Sequence, residues 1–589
     1  MLGAILSLGL ALLALYLVRA IRTYYSLSHF GGHWVAGWSR LWLLRTQGSG
    51  EMNKRFTEVN RKYGEFPIGE GVETKSTIFR FAVWVSPTPR SAFLTLVHRA
   101  DETQAPRLGL RRACLSHPMA ELFRRMSAVR SPFTRGRWYT ALKLHPDRDN
   151  ITSYVDEHKH AAIRTRMAPG YSGKENVHLE ADVDEQLLKF LDLVSSKYVA
   201  QPEQDIFRTV DLSQVTSYFT LDVISKVAFG QTFGFLDNDE DPFGYLANLA
   251  QMLPAIIVFG VYTELTNIMK FPAVKAALPK SSDKRGLGRV MGFARDRVQE
   301  RFGPKAIRRQ DMLDAFIKRG MTQEELESET LTQITAGSDS TASALRMTLH
   351  FISTSPPILE RLLAEARAGI EQGKISRPII QDAEARQLHY LQACIKEGLR
   401  IYPPVTGLMA KMVPEGGAMI DVDGVEKFAP GRTQIGWNSW GMMHDPVVFG
   451  PDAEIYRPER WLVRDDSEKE RGRVARMNET VTLCFGYGRF GCLGRGVATM
   501  ELNKAVVEVS CSTTCGFDES LTCVLKTLLR FNLQSCNLAK PFNEKVVGFY
   551  VHTDMNFAVT ERSSGNQSAL VRLEGDKVDA GALAGAYEE

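Results

Sequence analysis

Apolar positions recur every three to four residues over long stretches of this 589-residue chain. That spacing predicts amphipathic helices over residues 51–63, 183–198, 212–229 and 321–354, and a mostly helical body from about residue 115 onward. Two stretches break the rhythm. Residues 66–112 mix a strand-like run at 76–85 with Pro- and Arg-rich pieces. After Arg400, the residues Pro403, Pro404, Gly416, Gly417, Pro430 and Gly431 punctuate a set of short strands. The pattern predicts a mainly α protein with a small β portion. Residues 563–589 are polar, rich in Gly and Ala and without a core pattern, and are expected to form a loose tail.

The amino terminus follows a different rule. Residues 2–18 carry no charge and are dominated by Leu and Ala. At ~1.5 Å per residue a helix of that length spans roughly 25 Å, near the lower limit for a bilayer. Arg19 and Arg22 follow it and no Lys or Arg precedes it, which is the arrangement of a membrane anchor with the body in the cytoplasm. A cleaved secretory signal would have its positive flank on the other side. The expected layout is an anchor at 1–18, a linker at 19–50 with a joint at 28–34, a catalytic domain at 51–562 and the tail. Endoplasmic reticulum membrane is the expected location. The Asn-x-Ser/Thr matches at Asn150, Asn478 and Asn566 then carry no meaning, because they lie on the cytoplasmic side.

Composition adds little beyond this. At 44% hydrophobic, 24% charged and net +4, the chain is an ordinary globular protein with no basic excess to suggest nucleic acid. Its 8 cysteines are too few for a disulfide framework in so long a chain, which points to a reducing compartment. Length alone would suggest about four domains of ~150 residues, but no linkers divide the body.

The candidate chemistry centres on Cys492, in the run Phe485-Gly-Tyr-Gly-Arg-Phe-Gly-Cys-Leu-Gly494. One cysteine in a glycine-rich turn, with Phe485 seven residues before it, suits a thiolate bound to haem iron. Glycines such as Gly488 let backbone approach a flat macrocycle, while N–H groups and an apolar shell temper the thiolate. The same run matches a dinucleotide fingerprint, Gly486-x-Gly488-x-x-Gly491, between a strand-like stretch at 481–485 and a helix. That rival needs a full βαβ unit and an acidic residue about 20 positions on. Asp518 and Glu519 sit in no evident strand end, and too little chain follows for a doubly wound sheet.

Three further constellations each have a bland alternative. Small residues Ala336 and Gly337 in a long helix would let a flat ligand press on the backbone. Asp339 beside Ser340 and Thr341 forms an acid–hydroxyl relay, although close helix packing with a polar outer face explains the same residues. Glu397 and Arg400 share a helix face, and Arg460 in Tyr456-Arg-Pro-Glu-Arg-Trp461 completes a triad if buried. His160 and Arg164, one turn apart, either bind paired carboxylates or form a solvated basic face.

The order Ala-Gly-Ser-Asp-Ser-Thr, Glu-x-x-Arg, Arg-Pro-Glu-Arg and the cysteine turn resembles the cytochrome P-450 family. In the phrases 485–494 and Glu501-Leu-Asn-Lys504 it is similar to fungal membrane-bound members such as pisatin demethylase. The resemblance covers about 115–562. It implies haem held between two helices, with Cys492 as axial ligand and Phe485, Gly488 and Arg489 in the haem loop. It further implies Asp339, Ser340 and Thr341 in proton delivery, Glu397, Arg400 and Arg460 as a structural triad, and His160 with Arg164 near the propionates. An NADPH-dependent reductase would be the electron donor and a hydrophobic small molecule the substrate. Secondary-metabolite oxidation is the expected role. Detoxification of plant defence compounds, fatty-acid hydroxylation and an inactive haem-binding pseudoenzyme are the alternatives. The pocket is expected to include Val405, Leu408, Met409, Phe549 and Val551.

Four departures from the family pattern stand out. Phe490 replaces the usual arginine two before the cysteine, with Arg489 displaced by one. Gly31-Gly32 replaces a proline-rich hinge. Residues 66–112 and 509–527 resemble nothing in the family. Joining Glu508 to Leu528 would restore a continuous amphipathic run, as expected if 509–527 were a translated intron. Cys511, Cys515 and Cys523 within it lack the spacing and fourth ligand of a zinc site.

Overall fold

The computed structural model describes residues 40–63, 82–85, 92–96, 118–145, 147–200, 208–422, 425–511 and 531–561, with a few isolated positions between 7 and 25. The helices that build and support the site are α1 (Leu41–Gly48), α2 (Met52–Tyr63), α3 (Pro118–Ser127), α4 (Glu157–Tyr171), α5 (Leu179–Leu193), α6 (Leu212–Phe229), α7 (Tyr245–Val261), α8 (Gly286–Gln299), α9 (Gln323–Ser353), α10 (His389–Ile401), α11 (Glu468–Val481) and α12 (Arg495–Cys511).

Helix α9 is the axle of the molecule. It starts at a capping box in which the Thr322 hydroxyl accepts the Glu325 N–H at 3.3 Å and the Glu325 carboxylate accepts the Thr322 N–H at 3.0 Å. It then runs unbroken for 31 residues, far beyond what propensity alone would sustain in water. Packing holds it: Leu326, Leu331, Ile334, Leu345, Leu349 and Ile352 are buried, and α6, α8, α10 and α12 pack around it. Helix α12 is fixed by buried polar groups as well as by its apolar face. The Lys504 ammonium donates to Glu180 at 2.6 Å and to the Ile380 carbonyl at 2.6 Å and lies 2.9 Å from Asp184. Asn503 donates to Asp382 at 2.7 Å, and Glu508 accepts the Ile380 N–H at 2.9 Å.

The β portion is a five-stranded sheet and three smaller ones. The large sheet has the order β1-β2-β8-β5-β3, with β1 (Ala82–Val85), β2 (Ala92–Leu96), β3 (Thr134–Arg135), β5 (Lys411–Met412) and β8 (Thr433–Trp437). Its β2–β8 pairing is parallel and the rest antiparallel. A three-stranded sheet joins β4 (Thr209–Asp211), β12 (Asn556–Glu561) and β9 (Phe531–Ser535); β6 (Ala418–Val422) pairs with β7 (Val425–Ala429), and β10 (Asn543–Val546) with β11 (Tyr550–Thr553).

Several expectations shift. The linker expected at 19–50 contains helix α1, whose Leu43, Thr46 and Gln47 are buried, and Arg40 pairs with Glu264 at 2.6 Å. The folded body therefore reaches back at least to Arg40. Segment 66–112 contributes two strands of the large sheet, the first of them, Ala82–Val85, within the strand-like run at 76–85, of which residues 76–81 lie outside the described residues. The run at 481–485 is not a strand: α11 ends at Val481 and Thr482–Phe485 is a single 3₁₀ turn. The dinucleotide reading loses the strand that must precede its glycines. Helix α12 extends through Cys511, so the first three residues of 509–527 continue it. Residues 512–530, the tail at 563–589, Gly31-Gly32 and most of 2–18 lie outside the described residues. Among the described residues no helix is long and apolar enough to cross a membrane. Asn150 is fully buried, its carboxamide oxygen accepting from Thr152 and Ser153, so that sequon is inaccessible.

Candidate active site

The cysteine loop is a tight reversal between α11 and α12. Gly486 has φ +73°, and a Cβ there would lie 2.8 Å from the Phe490 carbonyl oxygen, so only glycine fits. The Cys492 N–H closes the loop on the Phe485 carbonyl at 2.7 Å. Cys492 is enclosed by the protein, and its side chain is accessible because it faces an internal cavity of about 400 Å³ rather than bulk water. Burial pushes its thiol up, while the backbone N–H groups of Gly494 and Arg495 and the nearby Arg164 pull it down. Phe485 lines the same cavity, with the Arg495 guanidinium 5.6 Å from its ring centre.

The opposite wall is α9. Ala336, Gly337, Asp339, Ser340 and Thr341 all line the cavity. A Cβ on Gly337 would come within 3.1 Å of Ile224 on α6, so the small residue serves helix packing as well as access. Ser340 back-bonds to the Ala336 carbonyl at 2.8 Å. Asp339 lies 3.6 Å from Arg346; burial raises its carboxyl and the arginine opposes that. Val405, Met409 and Phe549 also line the cavity, and Val405 bridges to Phe549. Leu408 and Val551, expected beside them, do not: Leu408 packs into a separate core with Trp138 and Val546.

One edge of the cavity is cationic. His160 and Arg164 line it, with the Arg164 guanidinium about one atom's contact (4.0 Å) from where a Gly491 Cβ would stand. Sequence reasoning missed two more basic residues, Arg135 in the lining and Lys411 just behind it. Arg135 lines the cavity from β3 and donates to the Ile151 and Tyr154 carbonyls at 2.7 and 2.9 Å. Lys411, in β5 beside it, is 1% exposed, and its amine stands 3.4 Å from the Phe490 ring centre. Among the described residues Glu157 opposes this group, accepting the Arg135 backbone N–H at 2.7 Å, and Glu329 acts on Arg135 at longer range. Burial and then Arg135 hold the Lys411 amine well below its ordinary value, and burial with the surrounding cations pushes His160 down to about 3. The signal for Lys411 was a lone lysine inside a short strand, but the pairing of β5 with β3 that aims it is not visible in the sequence.

Arg489 and Gly488 do not reach the cavity. The Arg489 guanidinium donates to the Ser131 carbonyl at 3.1 Å and to that of Phe133, and lies 3.7 Å from Glu157. Gly488 has φ +55° and would place a Cβ 2.3 Å from the Ser127 carbonyl, so it is required by packing against the end of α3. The left-handed turn at Gly488 sends Arg489 to the outer side of the loop and Phe490 inward.

Behind the cavity, Glu397, Arg400 and Arg460 are wholly buried and form one network. Glu397 accepts from Arg400 at 2.8 and 2.9 Å, from Arg460 at 2.8 Å, from the Trp461 indole at 2.9 Å and from the Arg457 N–H at 2.9 Å. The arginines' remaining N–H groups reach the carbonyls of Met443, Ala453 and Ile455. Two other acids were not read as site residues, Glu501 having been quoted only within the phrase 501–504. Glu329 on α9 and Glu501 on α12 both line the cavity, and each has a buried Oε2 without a partner.

The residues fit haem. A thiol under two backbone N–H groups faces a wall of small residues across a mostly apolar space, and a cluster of cations short of anionic partners waits at the edge where two carboxylates would lie. The group of three or more side chains that would hold a bare metal ion is absent among the described residues.

Comparison with known proteins agrees with this geometry. The chain matches the family Cytochrome P450 over residues 119–509. It is 34% identical over 556 residues to cytochrome P450 monooxygenase ABA1 of Pyricularia oryzae, covering 94% of this chain and 96% of that one. It is 36% identical over 445 residues to cytochrome P450 monooxygenase aba1 of Botryotinia fuckeliana, covering 75% and 81%. Cytochrome P450 monooxygenase abl1 of Leptosphaeria maculans is 33% identical over 449 residues, covering 75% and 77%. None of these three is a pisatin demethylase by name. The chain belongs to the cytochrome P450 family of haem-thiolate monooxygenases, whose members generally draw electrons from a reductase and act on hydrophobic substrates, and the relatives named here are fungal.

Proposed function

We propose that this cytochrome P450 oxidises a neutral, hydrophobic small molecule of fungal secondary metabolism, with Cys492 as the axial thiolate. The observation that carries the reading is the Cys492 side chain, under the Gly494 and Arg495 N–H groups, on the floor of the cavity that Ala336 and Gly337 wall on the other side. Haem, when bound, supplies the iron chemistry that activates dioxygen with electrons delivered singly by a separate NADPH-dependent reductase.

The chain's own groups do the rest. Phe485 would shield the thiolate from water, and Arg135, His160 and Arg164, with Lys411 behind Phe490, would hold the cofactor's carboxylates, a role in which Arg489 takes no direct part. Ser340, with its hydroxyl fixed on the Ala336 carbonyl, and Asp339, steadied by Arg346, sit where protons must enter. The triad of Glu397, Arg400 and Arg460 ties α10 to the chain that leads into the cysteine loop. Residues 2–18 anchor the protein in the endoplasmic reticulum membrane, with the catalytic body in the cytoplasm, and a substrate dissolved in that membrane reaches the cavity without crossing water.

The cavity lining favours an uncharged substrate. Trp138, Ile224, Met252, Ile256, Val405 and Phe549 make an apolar roof, with Met252 able to adapt to irregular shapes. Among the described residues the lysine and arginine side chains of the lining are Arg135 and Arg164, both at the cofactor edge, so none of these residues puts a cation in the roof to hold a fatty-acid carboxylate. This supports a terpenoid or polyketide over a fatty acid. Plant defence compounds of similar polarity remain the second reading. Substrate-induced shifts of the haem spectrum across a panel of terpenoids, polyketides, phytoalexins and long-chain fatty acids test the proposal. Shifts with neutral terpenoids or polyketides are expected; shifts confined to fatty acids overturn it.

A further inference from the structure

The cavity wall formed by the first half of α9 carries two polar side chains with unfilled hydrogen bonds. Glu329 and Gln333 stand one helical turn apart and so share a face, and both line the cavity. They are 1% and 4% exposed. The Glu329 Oε1 accepts the Ile151 N–H at 2.7 Å, whereas its Oε2 has no partner among the described residues. The Gln333 amide nitrogen donates to the Met312 sulfur at 3.4 Å, and its oxygen has no partner among the described residues either. The Tyr171 phenol stands beside Gln333 without closing a hydrogen bond on that oxygen. Other hydroxyls of this wall are already engaged. Thr332 donates to the Ser328 carbonyl at 3.1 Å, Thr335 to that of Leu331 at 3.1 Å and Thr152 to Asn150 at 2.5 Å.

The cations that act on Glu329 are bonded elsewhere. Arg166 forks onto Glu325 at 2.6 and 2.8 Å, and Arg135 donates to the Ile151 and Tyr154 carbonyls. Burial therefore pushes Glu329 up to about 8, and at neutral pH the carboxyl carries its proton. One turn of helix thus presents an O–H donor and a carbonyl acceptor, both unfilled. A hydroxyl satisfies the two at once, accepting one proton and donating another. A ketone or ether oxygen satisfies only the donor, and a hydrocarbon neither. Polar groups left unpaired in a buried site are what make it reject such analogues.

We propose that Glu329 and Gln333 form a hydroxyl-binding subsite, in which an alcohol oxygen of the substrate accepts from the Glu329 carboxyl and donates to the Gln333 carboxamide oxygen. The inference rests on the monooxygenase reading and narrows its neutral substrate to an alcohol. Glu329 precedes Ala336 by two helical turns, roughly 10 Å along the axis. The hydroxyl is therefore an anchor, and the carbon to be oxidised lies elsewhere in the molecule. The substrate arrives already carrying its oxygen, so a reaction that makes an alcohol must come before this one.

Substrate-induced shifts of the haem spectrum give affinities for farnesol, borneol and cedrol, each beside its methyl ether. At least one alcohol is expected to bind about tenfold tighter than its ether in the wild type, as two added hydrogen bonds imply. That preference should vanish in Gln333→Met and in Glu329→Met, with the ether's own affinity unchanged. Glu329→Gln keeps an acceptor for Ile151 and puts an N–H where the O–H was, so it should keep the preference; its loss there would assign Glu329 to packing and overturn the proposal. Alcohols no better than ethers on all three scaffolds, no binding of any alcohol, or farnesylamine bound tighter than farnesol also overturns it, the last because it requires an ionised Glu329. Infrared spectroscopy of the full chain at pH 7 gives a second reading. A protonated-carboxyl band, sensitive to deuterated water and missing from Glu329→Gln, is expected to shift when the alcohol is added to the haem-bound protein. A missing band, or one that moves when haem binds and not when the alcohol follows, refutes the subsite. If Glu329→Met fails to bind haem, Gln333→Met and Glu329→Gln decide. A wild-type chain without a thiolate–haem spectrum refutes the parent reading instead, and the carboxyl band titrated with farnesol still tests the subsite.

Discussion

Glu397→Gln is the sharpest test of how this fold supports its site. The carboxylate receives five hydrogen bonds between 2.8 and 2.9 Å, three of them from two guanidinium groups that are wholly buried. Glutamine keeps the volume but removes the carboxylate that, among the described residues, both arginines share, leaving Arg460 with Asp452 at 3.1 Å. It also turns an NH₂ group toward at least one cationic donor. At an effective dielectric constant of about 20, each cation–carboxylate pair at ~4 Å between charge centres is worth roughly 4 kcal/mol gross. Removing one partner of a buried pair typically costs about 3–5 kcal/mol net, and the shared carboxylate puts this case at the upper end. A loss near 5 kcal/mol consumes much of a total stability that is usually about 5–15 kcal/mol. At about 2 °C per kcal/mol for a large domain, thermal unfolding should fall by ~10 °C. The assay is unfolding of wild type and Glu397→Gln at matched haem content, followed by circular dichroism. Arg460→Met and the double variant complete a cycle, in which the double variant should lose much less than the sum. A loss below ~1 kcal/mol, or strict additivity, would mean that the network is hydrated and does not hold α10 to residues 443–461.

Two other predictions concern groups the sequence did not mark. Glu329 is pushed up to about 8 by burial while its Oε1 accepts the Ile151 N–H at 2.7 Å. The folded chain therefore holds a proton that the unfolded chain releases near pH 4.5, and stability falls as pH rises from there to about 8 by ~1.4 kcal/mol per pH unit. Glu329→Gln, which keeps the acceptor, should be more stable than wild type at pH 8 and nearly equal to it below pH 4.5; a difference independent of pH would contradict the burial argument. Lys411→Met should release haem to an acceptor such as apomyoglobin about tenfold faster or more, since one charge-assisted bond is worth roughly 1.5–3 kcal/mol. An unchanged transfer rate would show that the lysine only packs against Phe490.

What was legible in the sequence followed from local rules. The apolar rhythm of α9, the glycines of the cysteine loop and the i, i+3 pairing of Glu397 with Arg400 are each written within one turn or one element. Arg460 was found only because several motifs stood in a fixed order. The misses are long-range. Lys411 is aimed by the pairing of β5 with β3, which brings residues 411 and 135 together. Arg489 lies next to the inward-facing Phe490 in the sequence, yet the positive φ at Gly488 turns it to the Ser131 and Phe133 carbonyls. Glu501 reads as one more polar residue of an amphipathic helix, beside Lys504, whose charge is matched by Glu180 and Asp184. Nothing in the local pattern says that one of these neighbours is paired and the other is not. The strand at 82–85 falls within the strand-like run at 76–85, but that at 92–96 was hidden because its flanks carry no family pattern and its partner β8 lies more than 300 residues away.

The central claim is that Cys492 holds the haem, and one spectrum tests it. The reduced, carbon-monoxide-bound wild type should show the red-shifted Soret band that marks a thiolate ligand. Cys492→Ala should lose that band, while retaining the unfolding transition of the apoprotein, because its side chain faces the cavity and supports no packing that alanine would remove. A Cys492→Ala protein that keeps the thiolate–haem band would place the ligand elsewhere and contradict the account.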